Sequence, residues 1–533
     1  MKNYKFKFIA SAVAALSLVG CYDIDTEPMG STITADQKAA TIEANPERIK
    51  ASVAAIPSLF YDFGKVLGES YHSDFGYPAM MLWSDTRGTD LVSEDIGYNW
   101  FSSAVSYTDI QPTGVGTNLF WRSIYKQLYA VNAVANMIDI NTTDDDLMFY
   151  LAQAYAVRAF NYFTLAQFYQ HTYVGNEDKP CVPVLTEKNA DEAGANGCAR
   201  STVAEVYEQI ITDLDNAITL LSNTKTVRPD KRYVNLEVAY GIRARVNLVM
   251  NKWAEAASDA QNALKGATPY TIEQVSKPGF SDIDDAAWMW GCLVAETDRV
   301  VTSGICNFPS HMGSLNYGYA SVGAWRSINK TLYNSIPATD VRKGWWLNEN
   351  QDSPNLRDDE RAYVVKTDIP AYVQVKFGNY NDVVYTSTNA NDIPLMRAEE
   401  MLLILAEAQA MAGDPAAGAA TLEGFVKTYR DPKFSCLAAS AEEVQEAVWN
   451  QRRIELWGEG FSYTDLMRLK KNIDRRGAGF KPEVVFNISA VEGEAGYKAR
   501  IFPIPQSEVE ANSLISEDQN NPISEEIKPV EDF

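Results

Sequence analysis

The sequence predicts a mainly α-helical protein: a helical-repeat scaffold that carries long irregular loops and a few short strands. Three observations predict it. Apolar residues recur at i, i+3, i+4 and i+7 through 120–138, 145–170, 202–221 and 441–457, the spacing that gives one helix face to the core. Two stretches read as helix–turn–helix units, and two others, rich in Gly, Asn, Asp, Trp and Tyr, keep no helical period.

In chain order, Lys2, Lys5 and Lys7 precede an apolar run from Phe8 to Val19 that is too short to span a bilayer and has the profile of a secretory leader, residues 1–20. The junction Leu18–Val19–Gly20–Cys21 resembles the lipobox of bacterial lipoproteins, which makes Cys21 the lipidated N-terminus of the mature chain. Residues 21–40 form an acidic tether, whose Asp23, Asp25 and Glu27 resemble the export signal of surface lipoproteins in Bacteroidetes. The body, 41–533, reads as a single domain. Its scaffold falls at about 41–70, 117–270 and 393–470, and its loop-rich binding regions at about 71–116 and 280–392.

The repeat reading rests on 239–264 and 403–430. In the first, Ala244, Ala256 and Ala263 flank a break at "MNKW"; in the second, Ala406, Gly418 and Phe425 repeat that spacing around "GDP". Small residues so placed let antiparallel helices approach closely, as in tetratricopeptide repeats. Within the loop regions "AYVVKT" and "AYVQVKF" read as short strands, and Trp83 and Trp121 as core residues.

The 533-residue chain is 46% hydrophobic and 22% charged, which is globular and not disordered. Its net charge of −23 becomes −26 once the three leader lysines are removed, a surface that repels phosphate backbones and argues against a nucleic-acid partner. Cys181, Cys198, Cys292, Cys306 and Cys436 show no metal-type spacing and read as buried thiols, with a Cys181–Cys198 pairing as the alternative. His72, His171 and His311, the only histidines, lie in unrelated contexts, and no cofactor or metal site is predicted.

The segments 156–170, 394–414, 450–471 and 501–522 resemble, in order, the signatures of the SusD-like (RagB/SusD) outer-membrane lipoproteins. Ser462 and Thr464 depart from the family pattern, which often has arginine and an aromatic there. Read physically, Arg452, Arg453, Glu455 and Glu459 sit at spacings for pairs along one helix, and Pro503 and Pro505 fix an extended segment, so these signatures predict scaffold. The resemblance implies a glycan-binding lipoprotein of the outer membrane that delivers its ligand to a SusC-like TonB-dependent transporter.

Glycan recognition needs flat apolar faces for C–H surfaces and planar polar groups for hydroxyls. The first loop region offers Tyr98 and Trp100 as platforms with Asp85, Arg87, Asp90 and Asn99 as polar partners; the second offers Trp288, Trp290, Tyr317, Tyr319 and Trp325. A few stacking contacts and solvent-competed hydrogen bonds predict millimolar to micromolar affinity. Two alternatives are a peptide-binding surface receptor of a RagB-like importer and a surface glycoside hydrolase using paired carboxylates such as Asp85 and Asp90. The chain has no G-x-S-x-G, H-E-x-x-H, G-x-x-x-x-G-K or G-x-G-x-x-G motif, and the acids of 281–287 lack the EF-hand glycine and glutamate and read as a solvated turn.

Overall fold

The apolar periods become helices where they were expected. The computed structural model describes residues 46–93, 98–523 and 526–533; Cys21, the leader and the acidic tether lie outside them. The longer helices are α1 (Pro46–Ser58), α2 (Tyr77–Arg87), α3 (Val115–Met137), α4 (Asp145–Tyr169), α5 (Val203–Asn223), α6 (Leu236–Val249), α7 (Trp253–Ala263), α8 (Ala398–Met411), α9 (Pro415–Tyr429), α10 (Ala441–Glu455) and the short α11 (Ser462–Arg468).

Local chemistry sets their ends. The Asp144 side chain accepts the Leu147 N–H at the start of α4, and Thr202 and Glu205 form a reciprocal capping box on α5. Asp414, in the "GDP" turn, caps α9 by accepting from Ala417, and Pro415 takes the first helical position, where its missing N–H costs nothing. The helices pack in consecutive pairs: α4 on α3 and α5, α6 on α7, α7 on α8, and α8 on α9 and α10. Ala244, Ala256, Ala263 and Ala406 are fully buried where the paired helices meet, and a Cβ on Gly418 would lie 2.5 Å from the Ala406 carbonyl oxygen. Small residues at the predicted spacing therefore set the approach of each pair. No helix among the described residues is long and apolar enough to cross a membrane.

Strands are few. β1 (Leu91–Ser93) pairs antiparallel with β3 (Arg326–Ile328), and β2 (Trp288–Cys292) with β4 (Ile393–Arg397); a third two-stranded ladder joins Ile473–Asp474 to Asn487–Ile488.

Two expectations are corrected. "AYVVKT" lies in a helix, Asp358–Thr367: three acids occupy its first turn, Lys366 its last, and only Glu360 and Val364 are buried, so β-branched composition yields to end charges and one-sided packing. "AYVQVKF" opens in a turn, with Tyr372 at φ +68°, and then makes only isolated bridges, Ser327 to Val373 and Trp346 to Gln374 among them. The first loop region also contains α2, in which every residue from Pro78 to Arg87 is buried. A helix buried on all sides, with Ser84, Asp85, Thr86 and Arg87 inside it as well as its apolar residues, shows no amphipathic period, which hid it in the sequence.

Candidate ligand-binding site

The region 71–116 is clamped at its base by the scaffold. Asp85, near the end of α2, accepts the backbone N–H groups of Gly460 (2.8 Å) and Ser462 (3.1 Å). Asp90 receives Arg453 (2.6 Å) and Ser462 Oγ (3.2 Å), while its carbonyl oxygen takes the Trp457 indole N–H (2.8 Å). Ser462, the departure from the family pattern, fits because α2 ends at Gly88: a Cβ there would sit 2.3 Å from Ser462 Oγ. Arg87 donates to Asp109 (3.2 Å) and the Ala499 carbonyl (2.7 Å) with its guanidinium over the rings of Tyr107 and Phe502.

These contacts also correct the pairing expected within 450–459. Arg452 pairs with Asp465 and Arg453 with Asp90. Glu455 binds Arg342, Arg397 and Arg430, and Glu459 binds Arg397 and Lys376. Because α10 ends at Glu455, its last side chains meet partners far away in the chain and not one another.

Above the clamp, β1 pairs with β3 and brings the two loop regions together. Arg326 on β3 is fully buried; it donates to Asn99 Oδ1 (3.1 Å), the His311 carbonyl (3.1 Å) and Ser93 Oγ, while Asn99 Nδ2 donates to Ser93 (2.9 Å). Burial pulls the Arg326 guanidinium down to about 9, so it stays charged at neutral pH.

Aromatic rings build outward from this support. Phe75, His311, Tyr319 and Tyr98 form a column with successive centroid separations of 5.3, 4.7 and 6.3 Å; the first two pairs are stacked and the last is tilted by 33°. Beside it His72 stacks on Trp100 at 4.6 Å and 26°, and a ring nitrogen of His72 meets the Tyr319 hydroxyl. Tyr98 is 60% exposed, Trp100 and His72 are half-buried, and Tyr319 is buried at 5%. Burial lowers the pKa of both imidazoles, His311 well below the usual range, so each keeps one donor and one acceptor nitrogen. A second ring group lies on the later loop region, where Tyr317 (39% exposed) meets Tyr385 (45%) edge-on at 5.3 Å and Tyr385 meets Tyr363 at 5.4 Å.

Of the eleven residues singled out in the sequence, seven are interior: Asp85, Arg87, Asp90, Asn99, Trp288, Trp290 and Tyr319. Trp288 and Trp290 belong to β2, and the indole N–H of Trp290 donates to the Arg232 carbonyl at 3.0 Å. These polar groups are spent on backbone and ion-pair partners, and the two indoles on core packing, so they support the site and do not reach its surface. Tyr98, Trp100, Tyr317 and Trp325 retain exposed area, with Trp325 packed against the small apolar cluster that includes Leu315, Leu347 and Val373. Sequence reasoning missed His72 and His311, 239 positions apart, yet His311 Nε2 lies 3.1 Å from the His72 carbonyl oxygen. Their only local signal was aromatic company, "YHSDF" and "FPSHM". Trp83 and Trp121 are buried as expected, and the five described cysteines are free. Among the described residues no cluster of three or more His, Cys, Asp or Glu side chains is arranged to hold a metal.

Two family models match the chain. One, described as starch-binding and associating with the outer membrane, matches residues 77–248, and that of the SusD family matches residues 342–523. The chain belongs to the SusD family. Among SusD-family relatives, SusD-like protein P2 of Formosa agariphila is 24% identical over 98% of this chain and all of its own length; SusD-like protein P38 of the same organism is 22% identical over 74% of this chain and 80% of its own. The fold matches that of a SusD-like carbohydrate-binding protein from Bacteroides vulgatus (TM-score 0.73, 24% identity, 90% of this chain and 98% of that one). It also matches a laminarin-binding SusD-like protein (TM-score 0.62, 17% identity, 89% and 99%).

Proposed function

We propose that this protein is a cell-surface glycan-binding lipoprotein, held at the outer membrane through Cys21, that captures oligo- or polysaccharide and passes it to a SusC-like TonB-dependent transporter. The observation that carries the binding reading is the tiered aromatic surface of Tyr98, Trp100, His72 and Tyr319. Its outer rings are exposed, its inner rings are buried and fixed, and neutral imidazole and hydroxyl groups sit among them. Rings held in place by packing receive a sugar face without losing rotamer freedom on binding. Membership in the SusD family, and the names of relatives that bind carbohydrate, support the ligand class and the membrane setting.

The protein acts by binding and not by hydrolysis. Asp85 and Asp90, the carboxylates a hydrolase reading would use, are both buried and committed to backbone and arginine partners.

Affinity gel electrophoresis of residues 22–533 against starch, laminarin and a panel of plant, host and microbial polysaccharides tests this, with each sample assayed for released reducing ends. Retardation by at least one glycan without release is expected. Tyr98→Ala should weaken it about fivefold, the loss of roughly 1 kcal/mol of ring contact. Retardation by none would overturn the polysaccharide reading in favour of a peptide or a short oligosaccharide, and product release would overturn the binding-only reading.

A further inference from the structure

A second cavity, of 1170 Å³, opens between the C-terminal end of α4 and the last fifty residues of the chain. It shares no lining residue with the aromatic column, and its volume is somewhat above the roughly 300–1,000 Å³ of a usual small-molecule site, room enough for a short chain of sugar rings. On its wall the His171 ring lies flat on the Tyr497 ring, with centroids 4.1 Å apart and planes within 13°.

Local structure fixes this pair from both sides. Past α4 the Gln170 side chain is pinned to the Pro180 carbonyl (2.8 Å) and accepts the His171 N–H (2.9 Å). Tyr497 follows Gly496, whose φ of +76° permits a turn where a Cβ would press on Ile488. Arg200 braces the wall and is fully spent there, on the Pro180, Cys181 and Gln519 carbonyls and on Asn521.

What the wall leaves unspent indicates the ligand. Among the described residues neither the ring nitrogens of His171, the hydroxyl of Tyr497 nor the Lys498 ammonium has a hydrogen-bond partner, and all three side chains line the cavity. Burial, followed by the Arg500 and Lys179 charges, lowers His171 to about 4, so its ring is neutral at physiological pH. The remaining lining charges are of both signs: Lys179 pairs with Glu492, and Glu494, Asp518, Glu526 and Lys528 also line the cavity. That balance disfavours an anion such as phosphate, and the unpartnered imidazole, phenol and ammonium groups among apolar neighbours such as Ile501, Leu514 and Ile527 disfavour a wholly apolar guest. A flat ring pair with neutral donors and acceptors fits a sugar, whose C–H face stacks while its hydroxyls bridge.

We propose that this cavity is a second carbohydrate-binding site, separate from the aromatic column, that takes a short neutral oligosaccharide on the His171–Tyr497 pair. It rests on the proposed function for the chemical class of its ligand and on none of the residues named there.

The three histidines make the test direct, because His72 lies beside the column, His311 within it and His171 in the cavity. Residues 22–533, carrying ¹³C only in histidine, are titrated with laminaritriose, maltotriose and cellotriose, the signals having been assigned with His72→Gln and His171→Gln. With at least one trisaccharide the His171 signal shifts saturably. Tyr497→Ala abolishes that shift without altering the His72 response, and Tyr497→Phe, which keeps the stack, weakens it about three- to tenfold. A His171 signal that moves with none of the three overturns the second site, whatever His72 does. A His171 shift that survives Tyr497→Ala overturns it too, because the pair would then not be the contact. Movement of His72 alone upholds the column and rejects the cavity; movement of neither rejects both.

Discussion

Trp290 and Trp100 both sit in irregular stretches of sequence among Gly, Asp and Tyr, and only the structure separates them. Trp290 is 1% exposed, packs edge-on against Phe60 and Phe160 at 5.4 and 5.0 Å, and has its N–H satisfied; Trp100 is half-buried against His72. Trp290→Ala should therefore cost about 3–5 kcal/mol through the cavity it leaves. Tyr98→Ala, at an exposed ring, should stay within about 0.5 kcal/mol. Denaturant unfolding of the two variants checks this, and equal stabilities would contradict it. Loss of glycan binding in Trp290→Ala would report on folding and not on contact. The sequence thus showed which residue types the site uses, but not which of them reach water. Exposure is decided by partners such as Arg453 for Asp90 and Gly460 for Asp85, 363 and 375 positions away, and no local pattern encodes them.

Helices with one apolar face and a capping residue, such as α5 and α9, were legible because their information is local; α2 was not, because burial on every side erases its period. The junctions between elements are held by buried charge that also escapes sequence reading. Burial pushes the Glu455 carboxyl up, and the Arg430, Arg397 and Arg342 guanidiniums together outweigh it and hold it below the usual range. Glu459, through Arg397 and Lys376, and Asp465, through Arg452 and Arg468, are likewise lowered against their burial. A carboxyl lowered on folding adds stability above its unfolded pKa, about 4, and loses it as pH falls through the folded value. Asp85 and Asp392 run the other way: burial raises them to about 7 and about 6, so their contribution is complete below about 4 and is lost as pH rises through those values. The thermal midpoint should therefore peak between about pH 4 and 6 and fall on both sides, with Glu455→Gln flattening the acid limb and Asp85→Asn the neutral one. A midpoint that is constant from pH 3 to 8 would contradict this balance. Glu455→Gln should also cost about 3–5 kcal/mol at neutral pH, because it strips buried guanidiniums of their counter-charge.

At the scale of the whole molecule, the order of paired helices and the four signature segments made the fold readable from the sequence, whereas the meeting of residues 72, 98–100, 311 and 319 depends on β1 finding β3 across more than two hundred residues. On the proposed function, membrane attachment rests on Cys21 near the start of the chain. A single acyl chain holds a protein only marginally, and two or three hold it stably. Cys21→Ser should thus move the protein from the membrane to the soluble fraction of lysed cells, while the natural chain stays with the membrane and is cut by protease added to intact cells. Retention of Cys21→Ser in washed membranes would sink the lipid-anchor reading. The clamp on Asp85 and Asp90 has a consequence for descent. It grips the loop at its root and leaves the exposed Tyr98 beyond its reach, so substitutions there draw little from the stability of the body. A lineage can therefore retool this protein for a new nutrient in a few mutational steps, each of them still a folded protein.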